Sequence, residues 1–155
     1  ISIDASMNLF SFIQTYIIKL KLSLNEPPKW VFVDESQFLT TKQVDELSNV
    51  ATMYGIKIVC YGLRTDFRGE LFDGSKRLFE ISDYVEEIPH YCACGNKTVF
   101  NVRINEQGEV VENGEKIVIG GDDIYKSVCR ECYWKMLDRK KRNIRNEKKL
   151  IFCLN

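Results

Sequence analysis

The sequence predicts an α/β fold, a parallel sheet with helices followed by a small region stapled by cysteines. Three observations lead there. A continuously apolar run, Trp30-Val31-Phe32-Val33, ends abruptly in Asp34-Glu35. Strand, helix and strand patterns then succeed one another within about 30 residues, the size of a βαβ unit. Beyond Pro89 the texture changes, and two close cysteine pairs, Cys92/Cys94 and Cys129/Cys132, bracket a stretch without a sizeable core. A chain of 155 residues holds one ordinary domain, or a modest core with a satellite.

Taken in order, Leu9, Phe12, Ile13, Tyr16, Ile17 and Leu20 fall at helical spacing, and Pro27-Pro28 ends that helix. Trp30–Val33 reads as a strand of a parallel sheet covered on both faces. Thr40-Thr41-Lys42-Gln43 is a capping-box pattern that opens a second helix. Its buried face would be Val44, Leu47, Val50 or Ala51, and Tyr54, with Gly55 as its stop. Ile56–Tyr61 is a second buried strand closed by Gly62, which brings Asp34-Glu35 and the Gly62–Arg68 loop to one sheet edge. Leu78, Phe79 and Ile81 suggest a short helix, and Tyr84–Ile88 a further strand. Val99–Ile104 reads as a strand, Asn105–Glu109 as a turn with Gly108, and Ile117-Val118-Ile119 as an apolar run ending at Gly120-Gly121. The expected division is 1–89 for the α/β part, 90–134 for the cysteine-stapled part and 135–155 for a basic tail.

Two adjacent carboxylates at the tip of an apolar strand are costly unless something beyond the sheet uses them. Ligands of open α/β sheets bind beyond the carboxyl ends of the strands, so Asp34-Glu35 reads as a Walker-B-type element: one acid for Mg²⁺, its neighbour free for proton transfer. The bland alternative is a pair of acids that merely caps the next helix.

Acids and bases balance at 22 each, so no global field argues for nucleic acid or membrane. The bases do crowd the C-terminus, with Lys135, Arg139, Lys140, Lys141, Arg142, Arg145, Lys148 and Lys149 against Asp138 and Glu147. Such runs are more often solvated helix or tail than nucleic-acid contacts. No segment reaches the ~18 apolar residues of a membrane span, and no signal-peptide pattern opens the chain. Close thiol pairs without a secretion signal favour metal ligation over disulfides, and a reducing, cytoplasmic setting. Cys92, Cys94, Cys129 and Cys132 suit a closed, structural zinc site. Cys60 lies mid-strand and reads as a small core residue; Cys153 gets no role, and His90 is expected at the surface or in packing. The glutamates Glu106, Glu109, Glu112 and Glu115 would repel a phosphate backbone, so no nucleic-acid partner is expected.

Laid out this way, the chain resembles the type II (cytosolic-type) thymidine kinases, their bacterial branch in particular. The resemblance runs from about Trp30 to Tyr133. It is carried by VDESQFLT (33–40), YGLRTDFRGELF (61–72), CACG (92–95), VIGGDDIY (118–125) and SVCRECY (127–133). It implies a P-loop-kinase-like parallel sheet plus a small zinc-ribbon domain with a substrate lasso loop. It also implies transfer of the ATP γ-phosphate to the 5′-hydroxyl of thymidine or deoxyuridine, with Mg²⁺ and structural Zn²⁺ as cofactors, in a homotetramer. Glu35 would be the general base and Asp34 the Mg²⁺ acid, with Ser36 and Gln37 completing the nucleotide side. Phe38, Leu63, Phe67, Lys116, Ile117, Val118, Ile119, Gly120 and Tyr125 would surround the nucleoside. Cys92, Cys94, Cys129 and Cys132 would hold the zinc. Arg64 and Arg68 are expected to be salt-bridged loop arginines rather than phosphate ligands.

The chain departs from the family in one respect. No G-x-x-x-x-G-K-[ST] phosphate loop occurs in it, and the resemblance puts that loop upstream of Ile1. As written, the chain is therefore expected to be N-terminally incomplete and inactive. Two other readings stay open: a non-catalytic zinc module binding a protein or nucleic acid through the basic tail, and a different P-loop NTPase in which Glu35 activates water.

Overall fold

The computed structural model of the protein describes residues 2–24, 27–106, 108–114 and 125–152, with backbone alone for 24 and 143–152. The chain divides into two compact units, 1–64 with 71–85, and 65–70 with 86–155.

In the first unit, α1 (Leu9–Leu24) leads to β1 (Trp30–Val33), a single 3₁₀ turn (Ser36–Phe38), α2 (Thr41–Tyr54), β2 (Lys57–Cys60) and α3 (Asp73–Ile81). β1 and β2 pair in parallel, Trp30 opposite Lys57 through Val33 opposite Cys60, with α2 as the crossover. The βαβ reading holds, but β2 is not a buried strand: Lys57 is exposed and Ile58, Val59 and Cys60 are only partly buried. Thr40 caps α2 as its sequence pattern requires: its hydroxyl accepts the Gln43 N–H, and the Gln43 side chain accepts the Thr40 N–H. Leu9, Ile13 and Ile17 of α1 close a core with Val44, Leu47 and Val50 of α2, Val33 of β1, and Leu39 and Ile56. Each such side chain contributes about 1.5–3 kcal/mol on burial.

The start of α1 depends on α2. No acid occupies its first turn; instead the Glu46 carboxylate, itself buried, accepts the Leu9 N–H at 2.7 Å and the Asn8 amide at 2.9 Å. The Gln43 amide donates to the Asp4 and Met7 carbonyls. Free N–H groups at a helix start need such acceptors, and a carboxylate there also complements the helix dipole.

Two further expectations fail. Among the described residues β1 is not covered on both faces: Trp30 and Phe32 alternate outward, 48% and 64% exposed and stacked on each other, while Val33 faces the core. A strand that alternates in this way is buried on one side only. Tyr84–Ile88 forms no strand, since it has no ladder partner among the described residues.

In the second unit, β3 (Phe100–Arg103) and β4 (Tyr125–Val128) pair antiparallel, and α4 (Arg130–Phe152) follows. Val102, Val128, Cys92 and Cys129 form its small core, flanked by Phe100, Cys132, Tyr133 and Met136. The Phe100 and Tyr133 rings stack at 4.4 Å. From Lys135 the backbone continues α4; Leu137 is buried, and the Lys140 ammonium donates to the Val110 carbonyl and pairs with Glu112, both at 2.9 Å. Among the described residues, no helix is long and apolar enough to cross a membrane.

Candidate active site and metal centre

Beyond Val33 the chain turns sharply, and Glu35 takes up left-handed backbone (φ 51°, ψ 36°). It is the one non-glycine residue with positive φ among those described. That conformation costs about 1–2 kcal/mol for a residue with a side chain, and strain of this kind collects at functional positions. The surroundings hold it in place. The Ser36 N–H and hydroxyl both donate to the Tyr61 carbonyl at 2.8 Å, and the Phe38 N–H closes back on the Glu35 carbonyl at 3.1 Å. Both carboxylates of the pair are exposed at the sheet edge, and Asp34 accepts the Glu35 N–H at 2.9 Å.

Gln37 lies beneath them, 2% exposed. Its amide oxygen accepts the Leu63 N–H at 3.0 Å and its amide nitrogen donates to the Glu35 carboxylate. A Cβ at position 62 would lie 2.6 Å from that oxygen and 2.8 Å from the Ser36 hydroxyl, so Gly62 is what makes room for the buried side chain. Gly74 serves a similar end: a Cβ there would lie 2.6–3.0 Å from the carbonyls of Ser36, Leu39 and Gln37, so α3 approaches the 3₁₀ turn closely. The next residue, Ser75, donates its hydroxyl to the Leu63 carbonyl at 2.6 Å. Phe38 and Leu63 stay about half exposed, and Phe38 rests edge-on against Phe72. The first unit thus links Glu35, Gln37 and the Leu63 main chain through one buried amide, with Asp34 and the half-exposed Phe38 next to them in sequence.

Phe67 belongs to the second unit, where it is buried with the Arg103 guanidinium 4.2 Å from its ring centre. Its loop is folded around the buried Asp66, whose carboxylate accepts the Arg68 and Glu70 N–H groups at 2.9 and 3.0 Å. Arg68 also pairs with Asp66 and Glu70, at 3.1 and 2.9 Å, as a salt-bridged loop arginine does. Tyr125 opens β4 opposite Arg103. Lys116, Ile117, Val118, Ile119 and Gly120 lie outside the described residues, as does Cys153. Asp66 and Glu70 are the acids that lie beside Arg68 in the sequence, and the pairing expected there is observed. Arg103 has no such local signal, because its ring partner lies 36 positions away.

The four cysteine sulfurs all lie within 4.8 Å of one another. Cys92 and Cys94 sit in a tight turn, with the Gly95 N–H donating to the Cys92 carbonyl and the Cys92 N–H to the Asn96 carbonyl. Cys129 immediately precedes α4 and Cys132 lies in its first turn, where the helix dipole favours thiolates. Backbone N–H groups of Cys94 and Cys129 hold the Cys92 thiol down at about 6. Cys129 is lowered too, chiefly by the Cys132 amide, whereas contacts with the Cys94 and Cys129 sulfurs push Cys132 up to about 12. A tetrahedral zinc with bonds of about 2.3 Å would set its sulfurs about 3.8 Å apart, so the cluster fits such an ion. His90 is exposed and stands outside the cluster, and Cys60 is partly buried in β2, as expected.

A family model described as thymidine kinase matches residues 5–133. The chain is 48% identical over 126 residues to a thymidine kinase of Haemophilus influenzae, covering 81% of this chain and 62% of the relative. It is 46% identical over 123 residues to that of Mannheimia succiniciproducens (79% and 60%), and 45% over 134 to that of Pasteurella multocida (86% and 70%). The chain spans about three fifths of the length of the first two of these relatives. With a match over that stretch, the chain belongs to the thymidine kinase family.

Proposed function

We propose that the protein transfers the γ-phosphate of ATP to the 5′-hydroxyl of thymidine, with deoxyuridine as an alternative acceptor. The observation that carries this reading is the exposed Glu35 carboxylate, held on strained backbone by a buried amide beside the half-exposed Phe38 and Leu63. The 5′-oxygen attacks the γ-phosphorus as its proton passes to Glu35; the bond from the γ-phosphorus to the bridging oxygen breaks, and ADP departs. Asp34 would hold Mg²⁺, its exposed carboxylate suiting an ion that takes one or two protein oxygens and keeps water and phosphate for the rest. Bound there, the ion neutralises charge on the phosphate oxygens. Phe38 and Leu63 offer the base an apolar surface. Phe67, Tyr125 and the stretch from Lys116 to Gly120 complete the nucleoside side in this reading.

Cys92, Cys94, Cys129 and Cys132 would hold zinc. Four protein ligands leave no open position, so the ion is structural and staples a unit with few core residues. A P-loop-type sheet over 1–89, a zinc-ribbon domain over 90–134, cytoplasmic location and assembly into a homotetramer belong to the same proposal.

The test is thymidine-dependent ATP consumption by the full-length protein. Glu35→Gln keeps the size of the side chain and removes its basicity, and should lower kcat by roughly 10²–10⁴-fold. ATP consumption indifferent to thymidine would refute the proposal. A Glu35→Gln enzyme with near-normal kcat would remove Glu35 from the chemistry.

A further inference from the structure

We infer that Gln37 is a positioning residue, a two-ended bracket that holds the Glu35 carboxylate at a set place relative to Leu63. The inference rests on Glu35 being the base of the proposed reaction, and it assigns Gln37 a task other than contact with nucleotide.

The orientation of the Gln37 amide is dictated by its partners. The Leu63 main-chain N–H can only donate, so the amide end 3.0 Å away is the oxygen. The NH₂ end therefore faces the other way, and there it meets the Glu35 carboxylate, which can only accept when ionised. Both ends of a 2%-exposed side chain are thus engaged by protein. Glycine at position 62 leaves the room this side chain occupies, since any Cβ there would lie 2.6 Å from its oxygen.

Glu35 needs such a bracket. It is exposed, its side chain has three rotatable bonds, and its backbone conformation is one that L residues rarely adopt. Unrestrained, its carboxylate would spread over several rotamers, few of them within reach of a hydroxyl proton. A donor rooted in the protein interior selects one. The same amide pins the main chain of Leu63, whose side chain is 44% exposed. Proton acceptor and Leu63 main chain are therefore spaced by one rigid group.

Gln37→Glu separates the two ends. It preserves the size and the oxygen that accepts the Leu63 N–H, but sets a second carboxylate oxygen against Glu35. Thymidine phosphorylation by the full-length enzyme should lose about 10–10²-fold in kcat, the scale of a misplacement of about 1 Å. KM for thymidine and for ATP should stay within about two-fold of normal, and the Leu63 amide should keep its protection from hydrogen exchange. Gln37→Met removes both ends, so kcat should fall while Leu63 exchange accelerates; it also serves if the Glu variant does not fold. Normal kcat in a folded Gln37→Glu or Gln37→Met enzyme overturns the bracket. So does a rise in the ATP KM with kcat unchanged, which would make Gln37 a nucleotide ligand. Should the parent enzyme show no thymidine-dependent transfer, the kinase reading fails by itself. The crystal structure of Gln37→Glu then decides: a Glu35 side chain rotated away from position 37 supports the bracket, and an unmoved one overturns it.

Discussion

Replacing Gly74 by alanine should destabilise the protein, against the usual preference of helices. Gly74 is the second residue of α3 and its φ is not positive, so alanine would ordinarily gain about 0.5–1 kcal/mol there. Here the added methyl would lie 2.6 Å from the Ser36 carbonyl oxygen, 2.7 Å from that of Leu39 and 3.0 Å from that of Gln37. All three are backbone atoms, so no side-chain rotation relieves the contact, and α3 must withdraw from the turn. Overpacking of this kind costs about 1–3 kcal/mol. Set against the helix gain, the net loss is up to about 2.5 kcal/mol, and at about 2–4 °C per kcal/mol for a chain of about 150 residues Tm falls by up to about 10 °C. Thermal unfolding followed by circular dichroism measures it. Hydrogen exchange at the Leu39 amide, which donates to the Ser36 carbonyl at 3.1 Å, should accelerate at the same time. A Gly74→Ala protein as stable as its parent, with Leu39 still protected, would refute the close-approach argument.

Metal analysis should find one zinc per chain, and Cys129→Ser should abolish it; exchange protection in β3 and β4 should collapse while that of α1 and α2 persists, and a zinc-free protein with both units intact would defeat the structural assignment. Burial pushes the Cys60 thiol up to about 11, so it stays protonated at neutral pH. Iodoacetamide at pH 8, followed residue by residue by mass spectrometry, should modify Cys60 roughly 10²-fold more slowly than a free cysteine, rising about tenfold per pH unit until near 11. A rate at pH 8 equal to that of a free thiol would count against that burial.

What the sequence disclosed, and what it hid, depends on the range of the interactions. The capping box at Thr40 and Gln43 depends on residues three apart, and the helix faces of α1 and α2 repeat within a turn, so both were legible. A strand is different, because it exists only with a partner. Tyr84–Ile88 has the residue types of a strand and no ladder to join among the described residues, and Trp30–Val33 looks buried throughout until its alternation is seen in place. The acid pair and the cysteine pairs announced themselves through composition and spacing. Gln37 was named only as a residue of the nucleotide side; its two-ended contact stayed hidden, because that depends on an amide 26 residues further on and a glycine that leaves it room. Arg103 was silent for the same reason: its ring partner is Phe67, and no local pattern links the two.

The cap that Glu46 provides for α1 bears on how the chain is made. Leu9 precedes its acceptor by 37 residues. At about 5–20 residues per second on the ribosome, that separation is a wait of about 2–7 s before the carboxylate is even synthesised. During that interval α1 has only its local cap, the Asn8 side-chain oxygen that accepts the Ser11 N–H at 2.7 Å, and lacks both the Glu46 carboxylate and the α2 face that buries Leu9, Ile13 and Ile17.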